Sequence, residues 1–269
     1  MLKANADNES APSVPLASRS PGMLRVLQAL LFVGLLCLWY ALTETGIMPK
    51  FFFGEPIAVF RTMIDWVVSG DIFYHLGITL VETMLGFVIG AVLALICGLW
   101  FALSPTASAL SDPYIKALNA MPRVILAPIF ALWFGLGIWS KVALGVTLVF
   151  FVVFFNVYQG IKEVSPVVLA NARMLGATRK QLLRTVYLPS ATSWVFSSLH
   201  TSVGMAFVGA VVGEYLGSSA GVGYLILQAE GVFDVNTVFA GIAILTISAL
   251  VLDAVVTVIE NRLLKWRPN

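Results

Sequence analysis

Long apolar runs separated by short polar stretches divide the chain into segments of membrane-spanning length. A helix needs about 20 predominantly apolar residues to cross a hydrocarbon core of about 30 Å. A sixth run, at residues 124–138, is shorter than the rest and contains Pro128. The pattern predicts an all-α, polytopic membrane protein with about six transmembrane helices. The five clear runs lie at residues 24–43, 76–103, 142–158, 194–212 and 238–259.

Composition and charge agree with this topology. Of the 269 residues, 59% are hydrophobic and only 11% are charged, which is typical of a membrane protein. With six spans and both termini in the cytoplasm, all Lys and Arg residues except Lys50, Arg61 and Lys141 fall on the cytoplasmic side, as insertion favours. Without the sixth span the termini would lie on opposite sides and the asymmetry would be lost. The residues predicted to be cytoplasmic are Lys3, Arg19, Arg25, Lys116, Arg123, Lys162, Arg173, Arg179, Lys180, Arg184, Arg262, Lys265 and Arg267.

The runs also set the domain organisation. Residues 1–23 are polar and lack apolar periodicity, so we expect a disordered cytoplasmic tail. Residues 24–261 form the predicted transmembrane domain, and 262–269 a short cytoplasmic tail. Between the first two spans, a short amphipathic piece at residues 59–68 is expected at the outer membrane interface.

The second span carries small residues at every fourth position. Such spacing places them on one helix face and lets a second helix approach closely. Glu82 lies one step earlier on the same face, so we expect it to face protein or water rather than lipid. The predicted packing stripe consists of Gly86, Gly90, Ala94, Gly98 and Ala102.

A basic, Gly-punctuated segment interrupts the apolar chain at residues 162–189, with a net charge of +4. Ser165 and Pro166 resemble a helix start, and Gly176 a helix stop. Thr178 and Gln181 have capping-box spacing, which predicts a second short helix. Its apolar face would comprise Leu182, Leu183, Val186 and Tyr187, and Pro189 would end that helix or begin the next.

Three interpretations of this segment compete on pattern alone. A DNA-binding helix-turn-helix is disfavoured because two spans tether the segment closely and no third helix is present. A loop held near anionic lipid headgroups and a docking element for a cytoplasmic partner both remain open.

The segment resembles the Glu-Ala-Ala loop of permease subunits of binding-protein-dependent ABC importers. That motif is Glu-Ala-Ala, three residues, Gly, nine residues, then Ile-x-Leu-Pro. Here Ala170-Asn171-Ala172 stands at the triplet, so Ala170 replaces the Glu and Asn171 the first Ala. The positions that match the family's ATPase-coupling loop are Ala170, Ala172, Arg173, Gly176, Ala177, Arg179, Leu188 and Pro189.

Two further blocks are similar to the nitrate, sulfonate and taurine permeases of this family. They are "LNAMPRVILAPIFALWFGLGIWSKV" at 118–142 and "VVGEYLGSSAGVGYLI" at 211–226. The resemblance implies the type I ABC importer permease fold in a bacterial inner membrane, with both termini cytoplasmic and the basic segment acting as coupling helices. It further implies a second permease copy in a homodimer, two cytoplasmic subunits that bind ATP and Mg, an external solute-binding protein, and alternating access for a small anionic solute.

The residues do not predict catalysis or a cofactor held by this chain. The stretch "GLGIWSK" at 135–141 departs from a phosphate-binding loop at its second Gly and its Ser/Thr position. No metal-spaced cluster or catalytic Ser, His and Asp set stands out. The two histidines, His75 and His200, are predicted to lie at an interface and in packing, respectively. We expect neither an enzyme nor a nucleic-acid-binding protein.

An ion-coupled secondary transporter is the alternative, since it would carry ionisable groups within its spans. Glu82, Glu214 and Asp253 are the candidates. We expect Glu214 to hydrogen-bond the Gly-rich outer loop, with Glu214, Gly221 and Gly223 as the candidate pathway or outer gate. No Lys or Arg occurs at residues 185–261, so strong selection of an anion is expected to reside in the external binding protein.

Overall fold

The computed structural model describes the backbone of residues 21–263 and, apart from Pro21, Ser193 and Leu263, their side chains. Every regular element in this range is helical. Five helices are long and apolar enough to cross a membrane, and each contains one of the five clear sequence runs. They are α1 (Pro21–Glu44), α4 (Asp71–Leu103), α7 (Ile138–Lys162), α10 (Leu188–Leu216) and α12 (Val235–Leu263).

The predicted sixth span differs from expectation. In place of one helix at 124–138, α5 (Pro105–Ala120) is followed by a 3₁₀ turn (Arg123–Leu126) and α6 (Ala127–Phe134), with a bend of 84°. Taken together, the two helices are long and apolar enough to form one broken span or a re-entrant loop. Pro122 explains the break, because proline disfavours helical geometry in the residue before it.

Contacts divide the chain into two units, of which the first ends at Pro56. It contains α1 and the short α2 (Lys50–Phe53). The Nε1 of Trp39 donates to the carbonyl of Phe53 at 3.2 Å, and Lys50 forms a 2.6 Å ion pair with Glu44. Because α1 begins at Pro21, residues 21–23 of the predicted tail are helical.

The rest of both predicted tails lies outside the described residues, namely 1–20 and 264–269. At the other end of the chain α12 continues to Leu263, so residues 262 and 263 also belong to a helix rather than to the tail.

In the second unit, α4, α7 and α10 pack against one another and contain the main core. The predicted stripe on α4 does contact another helix, α7. A Cβ added to Gly86 would lie 3.3 Å from the Cα of Gly145, and one added to Gly90 would lie 2.8 Å from the Val149 side chain. Buried members of this core include Ala91, Ala94, Val149, Val153, Phe154, Val157, Ala191 and Ala206.

A second core lies between α4, α10 and two further helices. It includes Ile72 of α4, Phe207 of α10, and residues of α12 and of α11 (Val222–Gly231). The amphipathic piece predicted at 59–68 lies within α3 (Pro56–Ser69), whose Met63 and Trp66 pack against this core.

Candidate coupling loop and buried polar cluster

The first helix of the basic segment is α8 (Pro166–Met174), and it starts where the sequence predicts. Pro166 occupies the first turn, where its missing N–H costs nothing. Ser165 precedes the helix, but its side chain makes no capping hydrogen bond. The start of α8 therefore depends on Pro166 rather than on a serine cap.

Gly176 ends α8 in a left-handed conformation, with φ +80°. The Gly176 N–H donates to the Arg173 carbonyl at 3.0 Å, and the Ala177 N–H donates to the Ala172 carbonyl at 3.1 Å. This nested pair of bonds is the Schellman motif, and glycine is favoured because it has no Cβ to oppose a positive φ. The spacing of Ala172, Gly176 and Ala177 thus has a local structural cause.

The predicted capping box is present at the next helix, α9 (Arg179–Leu182). The Gln181 Oε1 accepts from the Thr178 N–H at 2.8 Å, and the Gln181 N–H donates to the Thr178 hydroxyl at 3.3 Å. Two backbone turns separated by Gly176 are therefore each closed by their own hydrogen bonds.

The second helix is short, as predicted, and Pro189 lies in the first turn of the next one, but the two are joined without a break. From α9 the chain continues through a π turn (Leu183–Tyr187) directly into α10. The Leu188 N–H donates five residues back, to Leu183. This wider turn accommodates Pro189, which has no N–H and whose ring would clash with a carbonyl in a regular α-helix. Leu188 and Pro189 are therefore exposed residues in the first turn of α10.

The apolar face of the second helix is used within the loop itself. Leu182 and Val186 are buried with Val164, and Ala172 and Ala177 pack partly against them. Much of the predicted apolar face is therefore covered by the loop itself. The loop tip, which we define as Arg173, Met174 and Leu175, is exposed instead, with Met174 at 85% and Leu175 at 88%.

Other matched positions of the loop also face outward. Ala170, Gly176 and Arg179 are exposed. Asn171, the second departure from the family triplet, is exposed next to Ala170. The loop is thus a small folded unit that presents a basic and apolar tip.

At the opposite end of α10, Glu214 is fully buried and bonds the Gly-rich loop as expected. Its Oε2 accepts from the Gly223 N–H at 2.8 Å, and its Oε1 accepts from the Thr79 hydroxyl at 2.6 Å. A Cβ on Gly221 would collide with the Glu214 carboxyl group. Glu214, Gly221 and Gly223, predicted as pathway or gate residues, are all buried inside the protein.

Sequence reasoning missed two partners of this loop. The Val222 N–H donates to the Thr79 hydroxyl at 3.1 Å, and the Gly221 N–H donates to Nδ1 of His75 at 3.1 Å. Both side chains come from α4, more than 140 residues away in the chain. Only the spacing of His75 and Thr79, one helical turn apart, hinted that they share a face.

Two further ionisable side chains lie near Glu214. Glu82 is 2% exposed, as its position on the stripe predicted, and its carboxyl group lies close to that of Glu214. Lys141, which is close to the start of α7, is only 1% exposed. Its Nζ donates to the carbonyls of Leu136 at 2.5 Å and Gly137 at 3.1 Å. The buried polar cluster is therefore Thr79, Glu82, Lys141 and Glu214.

His200 lies in a second polar group, between α10 and α12. Its Nδ1 lies 2.6 Å from Glu260 and its Nε2 lies 3.2 Å from Asp253. Asp253, one of the candidate ionisable groups, therefore contacts His200 of a neighbouring span, and Glu260 is a partner that the sequence did not indicate. Together with apolar residues, His200 and Asp253 line a cavity of about 410 Å³.

Known proteins match the chain over most of its length. Residues 86–265 match the family described as the binding-protein-dependent transport system inner membrane component. The putative aliphatic sulfonates transport permease SsuC of Bacillus subtilis is 33% identical, over 99% of this chain and 98% of that protein. The formylaminopyrimidine transport permease ThiX of Halalkalibacterium halodurans is also 33% identical, over 90% of this chain and 97% of its own. The taurine permease TauC of Escherichia coli is 27% identical over 86% of each chain.

Two solved structures share the fold. An inward-facing MetNI methionine ABC transporter covers 69% of this chain and 92% of its own, with TM-score 0.59 and 17% identity. An amino acid ABC transporter with histidines covers 76% of this chain and 98% of its own, with TM-score 0.60 and 20% identity. Helices of spanning length, the folded basic loop and these matches agree, and the chain belongs to the inner-membrane permease subunits of binding-protein-dependent ABC importers.

Proposed function

We propose that two copies of this chain form the translocation path for a small anionic solute. In this proposal two cytoplasmic subunits bind ATP and Mg and hydrolyse the ATP, an external solute-binding protein delivers the solute, and both chain termini are cytoplasmic. The family depends on a binding protein, and the distribution of Lys and Arg favours cytoplasmic termini. ATP-driven alternating access then moves the solute inward.

The coupling loop at 162–189 carries the proposal. Its two turns are closed by the Gly176 bonds and the Thr178 capping box, so a force on the tip is not absorbed by unfolding of the loop. Through the π turn the second part of the loop is continuous with α10. A partner that moves the loop tip would therefore move a core helix directly.

The loop tip also has the chemistry of a docking surface. Met174 and Leu175 expose apolar area, and Arg173, Arg179 and Lys180 surround it with positive charge. Apolar contact supplies affinity, while rim charges orient a partner and exclude others. We assign this surface to the ATP-binding subunit.

The solute class is supported by relatives. Permeases named for aliphatic sulfonates and taurine are 33% and 27% identical to this chain. Relatives named for formylaminopyrimidine and riboflavin are 33% and 32% identical, so heterocyclic solutes belong in any screen. Because 185–261 contains no Lys or Arg, the external binding protein would provide most of the selectivity.

Transport in proteoliposomes tests the proposal. The permease is reconstituted with its ATP-binding subunit and binding protein, and uptake of taurine, ethanesulfonate and formylaminopyrimidine is measured. We expect uptake of a sulfonate that requires ATP and the binding protein and persists when ionophores remove ion gradients. Uptake driven by an ion gradient without ATP would instead support a secondary transporter, for which the carboxyl pair of Glu82 and Glu214 would be the obvious relay.

A further inference from the structure

Arg123 lies at the break of the bent helix pair and next to the middle of another span. Its Cζ is 4.5 Å from the centroid of the Phe151 ring. Phe151 is close to the midpoint of α7 (Ile138–Lys162), about 20 Å from the start of that helix at 1.5 Å per residue. The sequence placed Arg123 in the cytoplasm, but this contact places its guanidinium at membrane depth.

No carboxylate among residues 21–263 lies within ion-pair distance of Arg123, so none of them neutralises its charge. Its Nη2 donates to the carbonyl of Asn119 at 3.2 Å and to the Asn119 side-chain oxygen. Its Nε is buried without a hydrogen bond. Charged residues at membrane depth are costly and usually mark a solute or ion pathway.

Among the described residues, the fully buried cation is Lys141, and it is already committed. Lys141 is buried and donates to two backbone carbonyls, so it has little capacity left for a solute. Arginine has five N–H donors in a planar fork that matches an oxyanion, and Asn119 occupies Nη2 alone. Arg123 therefore retains donors and an uncompensated charge.

We propose that Arg123, held by Asn119 and Phe151, contacts the oxyanion group of the solute inside the translocation path. The inference rests on the proposed anionic solute and names the residue that recognises its charge. Broken helices at mid-membrane form the binding sites of many transporters because the break frees polar groups for the solute. The 84° bend beside Arg123 supplies such a break.

Uptake of ethanesulfonate by the reconstituted complex tests whether the positive charge of Arg123 is needed for transport. Arg123→Gln should lower uptake about tenfold, the loss expected for a charge-assisted hydrogen bond. Arg123→Lys should lie between wild type and Arg123→Gln, because it keeps the charge but loses the fork. The matched control is Lys116→Gln, which removes an exposed cation on α5 that pairs with Asp112, and it should transport normally.

Cysteine accessibility tests the location without depending on the solute. Cys37 and Cys97 are first replaced by Ser, and single cysteines are introduced by Arg123→Cys and Val88→Cys. Val88 is exposed near the middle of α4, opposite its packed face. A water-soluble anionic thiosulfonate should modify position 123, at a rate that changes with ATP, and should leave position 88 unmodified.

The outcomes separate the two proposals. An unmodified position 123, or wild-type ethanesulfonate uptake by Arg123→Gln, overturns the role of Arg123 while ATP-driven transport stands. Modification at 123 in a complex that transports only uncharged solutes overturns the anionic solute and its contact with Arg123 together. Absence of ATP-driven uptake of any solute by the wild type overturns the proposed function itself.

Discussion

At the scale of single residues, Glu214 shows how one side chain fixes the end of α10 that lies opposite the basic loop. Both of its oxygens accept hydrogen bonds, one from the loop at Gly223 and one from Thr79 of α4. Its place before the Gly-rich loop allowed the first bond to be predicted. The bond to Thr79 joins residues 135 positions apart, and neither periodicity nor a local motif reports such a distance.

Replacing Glu214 should destabilise the protein. Glu214→Ala leaves the Gly223 N–H buried without an acceptor, at about 1–3 kcal/mol, and leaves the Thr79 hydroxyl only its bond to the His75 carbonyl. At this chain length we expect the unfolding temperature in detergent to fall by about 5 °C or more. Asp65→Asn, an exposed change on α3, is the control, and an equal, small shift for both variants would contradict the described bonds.

At the scale of helices, local signals predicted local structure well. Pro166, Gly176 and the pair Thr178 and Gln181 each act within one turn, and the structure has a helix start, a stop and a cap at these positions. The π turn was not predicted, because it forms where the loop joins α10 and no local motif marks that junction. Pro189 is equally consistent with a helix end, a helix start or a widened turn, and only the continuous backbone decides among them.

Close approach of α7 and α10 makes a second prediction at this scale. A Cβ on Gly209 would lie 2.7 Å from the Cα of Gly145, where no flexible side chain can move aside. Gly209→Ala should therefore destabilise the protein by about 1–3 kcal/mol through overpacking. Gly204→Ala on the same helix meets nothing within 4 Å and should be neutral or mildly stabilising. Thermal unfolding in detergent measures both, and similar midpoints for the two variants would contradict the close packing.

At the scale of the whole molecule, hydrophobic runs predicted five spanning helices but not the bent pair α5 and α6. A sliding count of apolar residues measures how much hydrophobic length a segment has and carries no information about its direction. The 84° bend and the depth of Arg123 therefore lay outside what the runs and the charge distribution could report. Mixed apolar and charged residues in α5, including Asp112 and Lys116, further hid its part in the bent pair.

The central claim is that the loop at 162–189 transmits the work of ATP binding to the spans. Gly176→Ala addresses it because the added Cβ would meet nothing within 4 Å, so its effect comes only from the φ of +80°. An L-residue in that conformation costs about 1–2 kcal/mol, enough to shift the loop population about 5- to 30-fold. Gly77→Ala, in a regular helix with equal free space, is the matched control.

The deciding measurement is solute uptake per ATP hydrolysed by the reconstituted complex, compared at equal amounts of permease in the membrane. The account predicts a several-fold lower ratio for Gly176→Ala and an unchanged ratio for Gly77→Ala. A wild-type ratio for Gly176→Ala would contradict the claim that this loop couples ATP to transport.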